Sequence, residues 1–285
     1  MIYEQRQPAA HDLAEAIDVV FYLDKYEPEH ERERVVPNGR MTLVIELDGR
    51  LRHVYDNATG RPRATYQCAW LSGVHTNYFT IGDTRAGSRL MAVQFAFAGS
   101  MAITHRAASD FVDQVVPAAD VFGNDIVELR DALAKTADPH GCLDTLESWL
   151  TQRFDASLAP PAYVREAAAT IQRDAAEIAL TSLSEAAGVS HRHFLEHFRR
   201  HVGITPKALH RILRFYAVFE RIQQQEKVPW AALAAELGFA DQAHFIREFR
   251  AFSGYRPSSF QRDGGGRDRT NFFPDDPSPP PSQDT

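Results

Sequence analysis

The sequence predicts an α+β protein with two domains. The amino-terminal domain is a β-rich barrel or sandwich with short closing helices, and the carboxyl-terminal domain is all-α, with two helix-turn-helix motifs joined by a long helix. Strand-like runs fill 35–97, residues 184–260 match themselves at an offset of 51, and the prolines Pro160 and Pro161 lie between these regions. The predicted boundaries are 1–155 for the first domain, 156–162 for a linker, 163–262 for the second domain and 263–285 for a disordered tail.

Composition and charge exclude several classes of protein. Apolar residues make up 44% of the chain and charged residues 24%, as in ordinary globular domains. No apolar run approaches the ~18 residues of a membrane span, and the start MIYEQRQPAAHDLAEAID is too acidic and polar for a secretory signal. We therefore expect a cytoplasmic protein that does not associate with membranes. Cys68 and Cys142 are too few for a disulfide framework or a four-cysteine zinc site.

The net charge of −7 is unevenly distributed along the chain. Residues 162–263 contain 14 Lys and Arg against 11 Asp and Glu, which is a net +3, so the rest of the chain is strongly acidic. A mildly basic unit joined to acidic segments fits a protein in which only that unit approaches phosphates.

The first domain shows strands followed by helices. The runs MTLVIEL, LRHVY, TYQCAWLSG, NYFTI and RLMAVQFAF are separated by turn signals such as Asp48-Gly49. After Ser100, apolar residues recur at helical spacing, which predicts short helices over 110–116, 125–135 and 142–154. Beyond residue 262 the chain is rich in Gly, Pro, Asp and Ser, which favours a disordered tail.

The 51-residue repeat carries most of the functional argument. Each copy contains a helix, a glycine turn, a residue that caps a second helix (Ser190 or Asp241) and a Gly-x-x-Pro stop. The recurring residues are His193, Phe194, Phe198, Arg199, Gly203 and Pro206, which match His244, Phe245, Phe249, Arg250, Gly254 and Pro257. Between the copies, 205–225 reads as a long amphipathic helix that fixes their separation.

The polar face of each second helix has the chemistry of a DNA-reading surface. Arginine pairs bidentately with guanine and glutamine with adenine when a helix start lies in the major groove. From the residues alone, Arg192, Gln242 and Arg247 are the candidate base readers. If both helices meet one face of a duplex, they are about one helical turn, roughly 34 Å, apart.

The segments GVSHRHFLEHFRRHVGITP and ELGFADQAHFIREFRAFSGYRPSSF resemble the DNA-binding domain of AraC/XylS-type transcription regulators over about 100 residues. The resemblance implies a seven-helix unit, and it implies base contacts by the following residues: Arg192, Leu195 and Glu196 in the first motif, and Gln242, Ala243, Ile246 and Arg247 in the second. Leu195 offers only apolar contact and Glu196 only acceptor atoms, so the first motif departs from a general base reader.

The run VVPNGRMTLVIEL resembles a strand signature of cupin-like, AraC-type sensor domains, with Asn38 at a position usually held by Asp. In that family the domain binds a small effector or pairs with a second subunit. The candidate partners are therefore double-stranded promoter or operator DNA, RNA polymerase, a small-molecule effector and a second copy of the chain.

Several other patterns suggest a metal site, a catalytic site or a ligand pocket, and each also has a purely structural explanation. A metal site needs three or four ligands in fixed geometry. His193 and His244 of the group 191, 193, 197, 201, 210 and 244 hold repeat-equivalent positions, and His53, His75 and His105 lack the H-x-H…E spacing, so we expect no metal site. We expect no cofactor and no catalytic residue, because no nucleophile elbow, phosphate loop or HExxH motif is present. The following aromatic residues line either a ligand pocket or a core: Tyr55, Tyr66, Trp70, Tyr78, Phe79, Phe95 and Phe97.

These observations together predict a sequence-specific DNA-binding transcription regulator, not an enzyme, that reads two successive major grooves under control of an effector bound to the first domain. The main alternative is a DNA-targeted enzyme or repair protein with a catalytic amino-terminal domain. A second alternative, a unit that contacts only protein, gives no reason for Arg192, Gln242 and Arg247.

Overall fold

The structure is a computed structural model that describes residues 1–26, 31–82, 88–174, 180–222, 229–257 and 272–274. The eleven strands described in these ranges are β1 Ile2–Arg6, β2 Ile17–Tyr26, β3 Arg32–Val35, β4 Thr42–Glu46, β5 Arg52–Tyr55, β6 Pro62–Tyr66, β7 Ala69–Ser72, β8 Phe79–Gly82, β9 Ser88–Phe95, β10 Val115–Pro117 and β11 Phe272–Pro274.

Eleven α-helices are described in the same ranges. They are α1 His11–Ala16, α2 Met101–Thr104, α3 Ala119–Phe122, α4 Asp125–Lys135, α5 Pro139–Arg153, α6 Ala162–Arg173, α7 Leu180–Ala186, α8 His191–Val202, α9 Pro206–Ile222, α10 Trp230–Glu236 and α11 Gln242–Ser253. Two short 3-10 helices, Ala108–Phe111 and Ala156–Leu158, precede β10 and α6. Within the described ranges, no helix has the length and apolar character needed to cross a membrane.

The strands form two antiparallel sheets. One has the order β1-β2-β9-β4-β7-β10 and the other β11-β3-β8-β5-β6. The six-stranded sheet buries one face at its central strand β4, where Leu43 and Ile45 are 0% exposed and belong to the main core with the helices. Its other face is less buried: Val44, between them on β4, packs with Trp70 in a small cluster shared with the second sheet. The predicted β-rich first domain and helical second domain are confirmed.

The amino-terminal 34 residues contribute structure that the sequence reasoning missed. β2 is the longest strand and pairs with both β1 and β9, so it lies inside the larger sheet. Its run IDVVFYLDKY contains the apolar residues of a buried strand but begins directly after α1, without a turn signal that would have separated it.

The helix predicted over 110–116 is wrong. The chain makes only the 3-10 helix Ala108–Phe111 and then the strand β10, which pairs with β7. The apolar spacing in this segment serves a distant strand partner, which helical periodicity alone does not reveal. The helices predicted over 125–135 and 142–154 are observed as α4 and α5.

The tail prediction does not hold for three residues. Phe272–Pro274 forms β11 on the edge of β3, where adjacent phenylalanines give this short stretch the apolar side chains that its surroundings lack. The rest of 263–285 lies outside the described residues, as does the end of the predicted long helix, 223–225.

One hydrophobic core runs through both parts of the chain. The same cluster contains Phe95 of β9, Phe111 before β10, Phe198 of α8 and Phe215 of α9. The helical unit therefore packs directly on the amino-terminal domain, and the division at 156–162 stays a prediction.

Candidate nucleic-acid interface

The first motif is built from α7 and α8. Gly188 between them has a φ of +65°, a left-handed conformation that favours glycine. The Ser190 hydroxyl accepts a hydrogen bond from the His193 amide at 3.3 Å, so it caps α8 as the sequence predicts. Phe194 and Phe198, one turn apart, are 1% and 0% exposed, and α8 therefore keeps one apolar face in the core.

The second motif repeats this geometry with α10 and α11. Gly238 has a φ of +71°, and the Asp241 carboxylate accepts a 2.6 Å hydrogen bond from the His244 amide at the start of α11. Phe245 and Phe249 are both 0% exposed. Both predicted caps and both predicted buried pairs are thus observed at repeat-equivalent positions.

The two helices direct their predicted reading residues differently. Six of the seven residues are exposed to solvent, and Leu195 is half-buried against the core. The exposed residues are Arg192 and Glu196 on α8, and Gln242, Ala243, Ile246 and Arg247 on α11. The second motif therefore offers a complete reading face, and the first offers one arginine and one carboxylate. Which of these residues contact bases stays a prediction.

A buried carboxylate fixes the second motif to α9. Glu248, 6% exposed, accepts hydrogen bonds from Arg211 Nε at 2.6 Å and Arg214 Nη2 at 3.1 Å. Desolvation raises the pKa of Glu248, but the hydrogen bonds and charges of Arg211 and then Arg214 outweigh it and leave that pKa below the ordinary value. Arg214 also donates to the Gly238 carbonyl at 3.1 Å and stacks 4.3 Å over Phe239.

This cluster was not foreseen, since the partners are 34 and 37 residues apart in the chain. The repeat held a signal, because Glu248 replaces the His197 of the first motif. An acidic residue on the buried side of one copy only requires a basic partner elsewhere.

The first motif is anchored by a different polar contact at the equivalent place. The Tyr163 hydroxyl on α6 and His197 Nδ1 are 2.7 Å apart, and the His193 and His197 rings lie 4.0 Å from each other. Desolvation, and next the charge of His193, lower the pKa of His197. Within the described ranges, no three His, Cys, Asp or Glu residues converge as metal ligands.

Further along α8, His201 is 7% exposed and its Nδ1 has no hydrogen-bond partner. Burial, reinforced by the positive charge of Arg200, lowers the pKa of His201 to about 4. The residue is therefore a neutral core histidine near pH 7 and does not add charge to a DNA-facing surface.

Family comparisons bear on each part of the chain separately. A family described as "Helix-turn-helix domain" matches residues 183–263, which begin within α7 and include α8, α9, α10 and α11. The carboxyl-terminal unit is a helix-turn-helix domain of the AraC type. A family described as a domain of unknown function matches residues 5–117, which run from the end of β1 to the end of β10.

An uncharacterized HTH-type transcriptional regulator of Haemophilus influenzae is 30% identical over 84 residues, which are 29% of this chain and 28% of that protein. The chain thus matches less than a third of this relative's length. Among solved structures, ToxT from Vibrio cholerae aligns with a TM-score of 0.46 at 9% identity, over 85% of this chain and 97% of that one. The C-terminal domain of AraT, a response regulator from Geobacillus stearothermophilus, aligns with a TM-score of 0.34 at 22% identity, over 39% of this chain and 92% of that one.

Outside the AraC-type domain, one polar group resembles a catalytic arrangement and was not foreseen. Ser72 Oγ lies 3.1 Å from His75 Nε2, and Asp113 Oδ1 lies 4.0 Å from His75 Nδ1. The second distance is too long for a hydrogen bond, and the Asp113 carboxylate instead accepts from the Thr76 amide at 2.6 Å. Burial lowers the pKa of His75 to about 4, so it is a weak base. The group lacks the oriented base that an activated serine needs.

The aromatic residues of the amino-terminal domain divide between core and inter-sheet space. Phe95 is 0% exposed in the main core, whereas Tyr66 and Trp70 lie between the two sheets, with Phe79 packed beside them and only half-buried. Of the aromatic residues between the sheets, Tyr66 and Trp70 are therefore buried and Phe79 is half-buried.

Proposed function

We propose that this protein is a sequence-specific transcription regulator whose helices α8 and α11 read two successive major grooves of a promoter or operator. One observation carries the proposal. Both helices begin at a capped, exposed turn that bears Arg or Gln, and both end at a glycine turn packed on the amino-terminal domain. An exposed helix start with polar side chains is the part of a helix-turn-helix motif that meets base edges.

The base-reading roles follow from hydrogen-bond geometry. Arg192 and Arg247 have the planar donor fork that matches guanine O6 and N7, and Gln242 matches adenine N6 and N7. Ala243 and Ile246 are suited to thymine methyl groups, and Ile246 is accessible for such a contact because it is 37% exposed. The free amides at the starts of α8 and α11 also favour nearby phosphates.

The cluster between the two sheets is our candidate effector site. Val44, Phe79 and Ile81 pack there while remaining half-buried, next to the buried Tyr66 and Trp70. A small, largely apolar effector that covered these half-buried side chains would bury them further. RNA polymerase, a second copy of the chain and a cytoplasmic location stay predictions.

We also propose that the protein has no enzymatic activity. The alternative, a DNA-targeted enzyme, has Ser72 and His75 as its most suitable reactive pair. Hydrolysis of an activated ester by the full chain, lost in Ser72→Ala, would favour that alternative.

The test is enrichment of randomised DNA duplexes by the full-length chain. We expect a consensus with two half-sites whose centres are roughly 10 base pairs apart. We also expect an affinity for that consensus that falls steeply with added salt, since phosphate contacts release counterions. Absence of any enriched sequence would contradict the proposal.

A further inference from the structure

We infer that the amino-terminal domain is a brace that sets the spacing of the two recognition helices, with Arg34 as the positioning residue for the second one. The inference rests on the proposed function and concerns which DNA the protein accepts. The DNA that the braced protein binds is a duplex whose two half-sites lie at one fixed separation.

The first contact of the brace is at the end of α8. Gly203, with a φ of +96°, ends the helix so close to the amino-terminal domain that a Cβ there would lie 3.3 Å from the Ala108 carbonyl oxygen and 3.5 Å from Val112 Cγ2. Ala108 is 1% exposed and Val202 is 2% exposed, so water is excluded from this contact.

The second contact is at the repeat-equivalent end of α11. A Cβ on Gly254, whose φ is +75°, would lie 2.6 Å from Tyr78 Cζ and 2.7 Å from Arg34 Nη1. The Arg34 guanidinium lies between two rings, 5.1 Å from the centre of Tyr78 in its own domain and 4.2 Å from the centre of Tyr255 in the second motif. Stacking of this kind suits arginine because its guanidinium is planar and weakly hydrated.

The third contact is between the two motifs, on α9. Leu209 and Leu213 close over the turn at Gly39, where a Cβ would lie 2.7 Å from Leu209 Cδ1. The neighbouring Arg40 stacks 3.9 Å over Phe97 and forms an ion pair with Asp18. The helical unit is therefore held at both stop turns and at its connecting helix.

These contacts leave the reading ends free. The stop turns are separated from the helix starts by 12 residues in each motif, or about 18 Å of helix. Since each recognition helix is fixed at its far end to the same body, that body sets the separation of the two starts, and loss of one of the fixing contacts lets the separation vary. α9 holds the second motif through Glu248 and through Phe215, which packs on Phe249 and Phe252. The contact of Arg34 with Tyr255 adds a second point of attachment at the far end of α11.

The first measurement does not depend on DNA. Spin labels at the repeat-equivalent exposed positions 199 and 250, in a Cys68→Ser background of the full chain, report the distance between the two recognition helices. We expect one narrow distance distribution that broadens in Arg34→Ala and in Tyr255→Leu. Arg32→Ala is the matched control, since Arg32 makes the same type of contact, 3.9 Å over Tyr55, wholly inside the amino-terminal domain.

The second measurement uses duplexes in which the enriched half-sites are moved apart or together by one or two base pairs. We expect the wild-type chain to discriminate among these spacings, and Arg34→Ala to lose about 5-fold of that discrimination while keeping its preference for the half-site bases. Arg32→Ala keeps both.

The outcomes separate the two claims. A broad distance distribution in the wild-type chain, or one that Arg34→Ala and Tyr255→Leu leave unchanged, overturns the brace. Spacing discrimination that Arg34→Ala leaves unchanged overturns it as well. If the distances respond as expected but no sequence is enriched, the proposed function fails and the brace stands.

Discussion

The two motifs of the AraC-type domain have the same backbone arrangement, but they differ in the residues at equivalent positions. The first has His197 and His201, where the second has Glu248 and Phe252. His197 forms a hydrogen bond with Tyr163 and packs against His193, while Glu248 binds two arginines of α9. The second motif is thus held by buried charge and presents four exposed predicted readers, whereas the first is held by neutral contacts and presents two. A duplicated framework can therefore carry two readers of unequal quality.

The largest expected effect is on the anchor of the second motif. Glu248→Ala leaves Arg211 and Arg214 without their buried carboxylate, and we expect the free energy of unfolding to fall by about 3 kcal/mol. The equivalent change in the first motif, His197→Ala, removes one hydrogen bond to Tyr163 and should cost about 1 kcal/mol. Urea unfolding of both variants measures the difference, and equal losses would contradict the contrast between the anchors.

Next comes base reading by the second motif. Arg247→Ala should weaken binding to the enriched sequence by about 1 to 3 kcal/mol and relax base preference in one half-site. The control is Arg221→Ala, which removes the same charge from an exposed arginine on α9 that pairs with Glu236. Fluorescence anisotropy at constant salt gives both affinities. If the two variants lose the same affinity without a change of base preference, Arg247 acts only through its charge.

A pH effect distinguishes the cores of the two motifs. The pKa of His201 is about 4 in the folded chain and 6.5 without burial, so the unfolded chain binds the extra proton first as pH falls. The part of the free energy of unfolding that depends on neutral His201 is fully present above pH 6.5 and is lost progressively as the pH falls to about 4. At pH 5.5 about 1 kcal/mol of it is lost.

His201→Phe copies the Phe252 of the second motif and should remove this part of the pH dependence. The measurement is the urea midpoint at pH 7.5 and at pH 5.5. His75, whose pKa is also lowered to about 4, continues to contribute in both proteins. An unchanged pH dependence in His201→Phe would show that His201 is not the titrating group.

The smallest expected effect is at Glu196. The Glu196 carboxylate is exposed on α8 and would lie near phosphates or bases. Because a carboxylate repels phosphates, Glu196→Ala should raise the affinity for the enriched sequence, by less than about 2-fold. A loss of 10-fold or more would make Glu196 a genuine reader, for example of cytosine N4.

The sequence was most informative where structure is local. The caps Ser190 and Asp241, the buried pairs such as Phe245 and Phe249, and helices α4 and α5 all follow from patterns within a few residues. The sequence did not predict features that depend on partners far away in the chain. β10 required its pairing with β7, Glu248 required α9, and the contact of Arg34 with Tyr255 spans 221 positions of the sequence. Periodicity describes which face of an element is buried, but not what covers it.

The central claim is that base preference resides mainly in the second motif. The most direct measurement is to replace each base pair of the enriched duplex in turn and determine the affinity of the full-length chain for each product. We predict that the large losses, about 1 to 3 kcal/mol each, fall in the half-site read by α11, and that the loss at the base pair contacted by Arg247 disappears in Arg247→Ala. Equal losses in both half-sites, or a pattern of losses that Arg247→Ala leaves unchanged, would contradict the account.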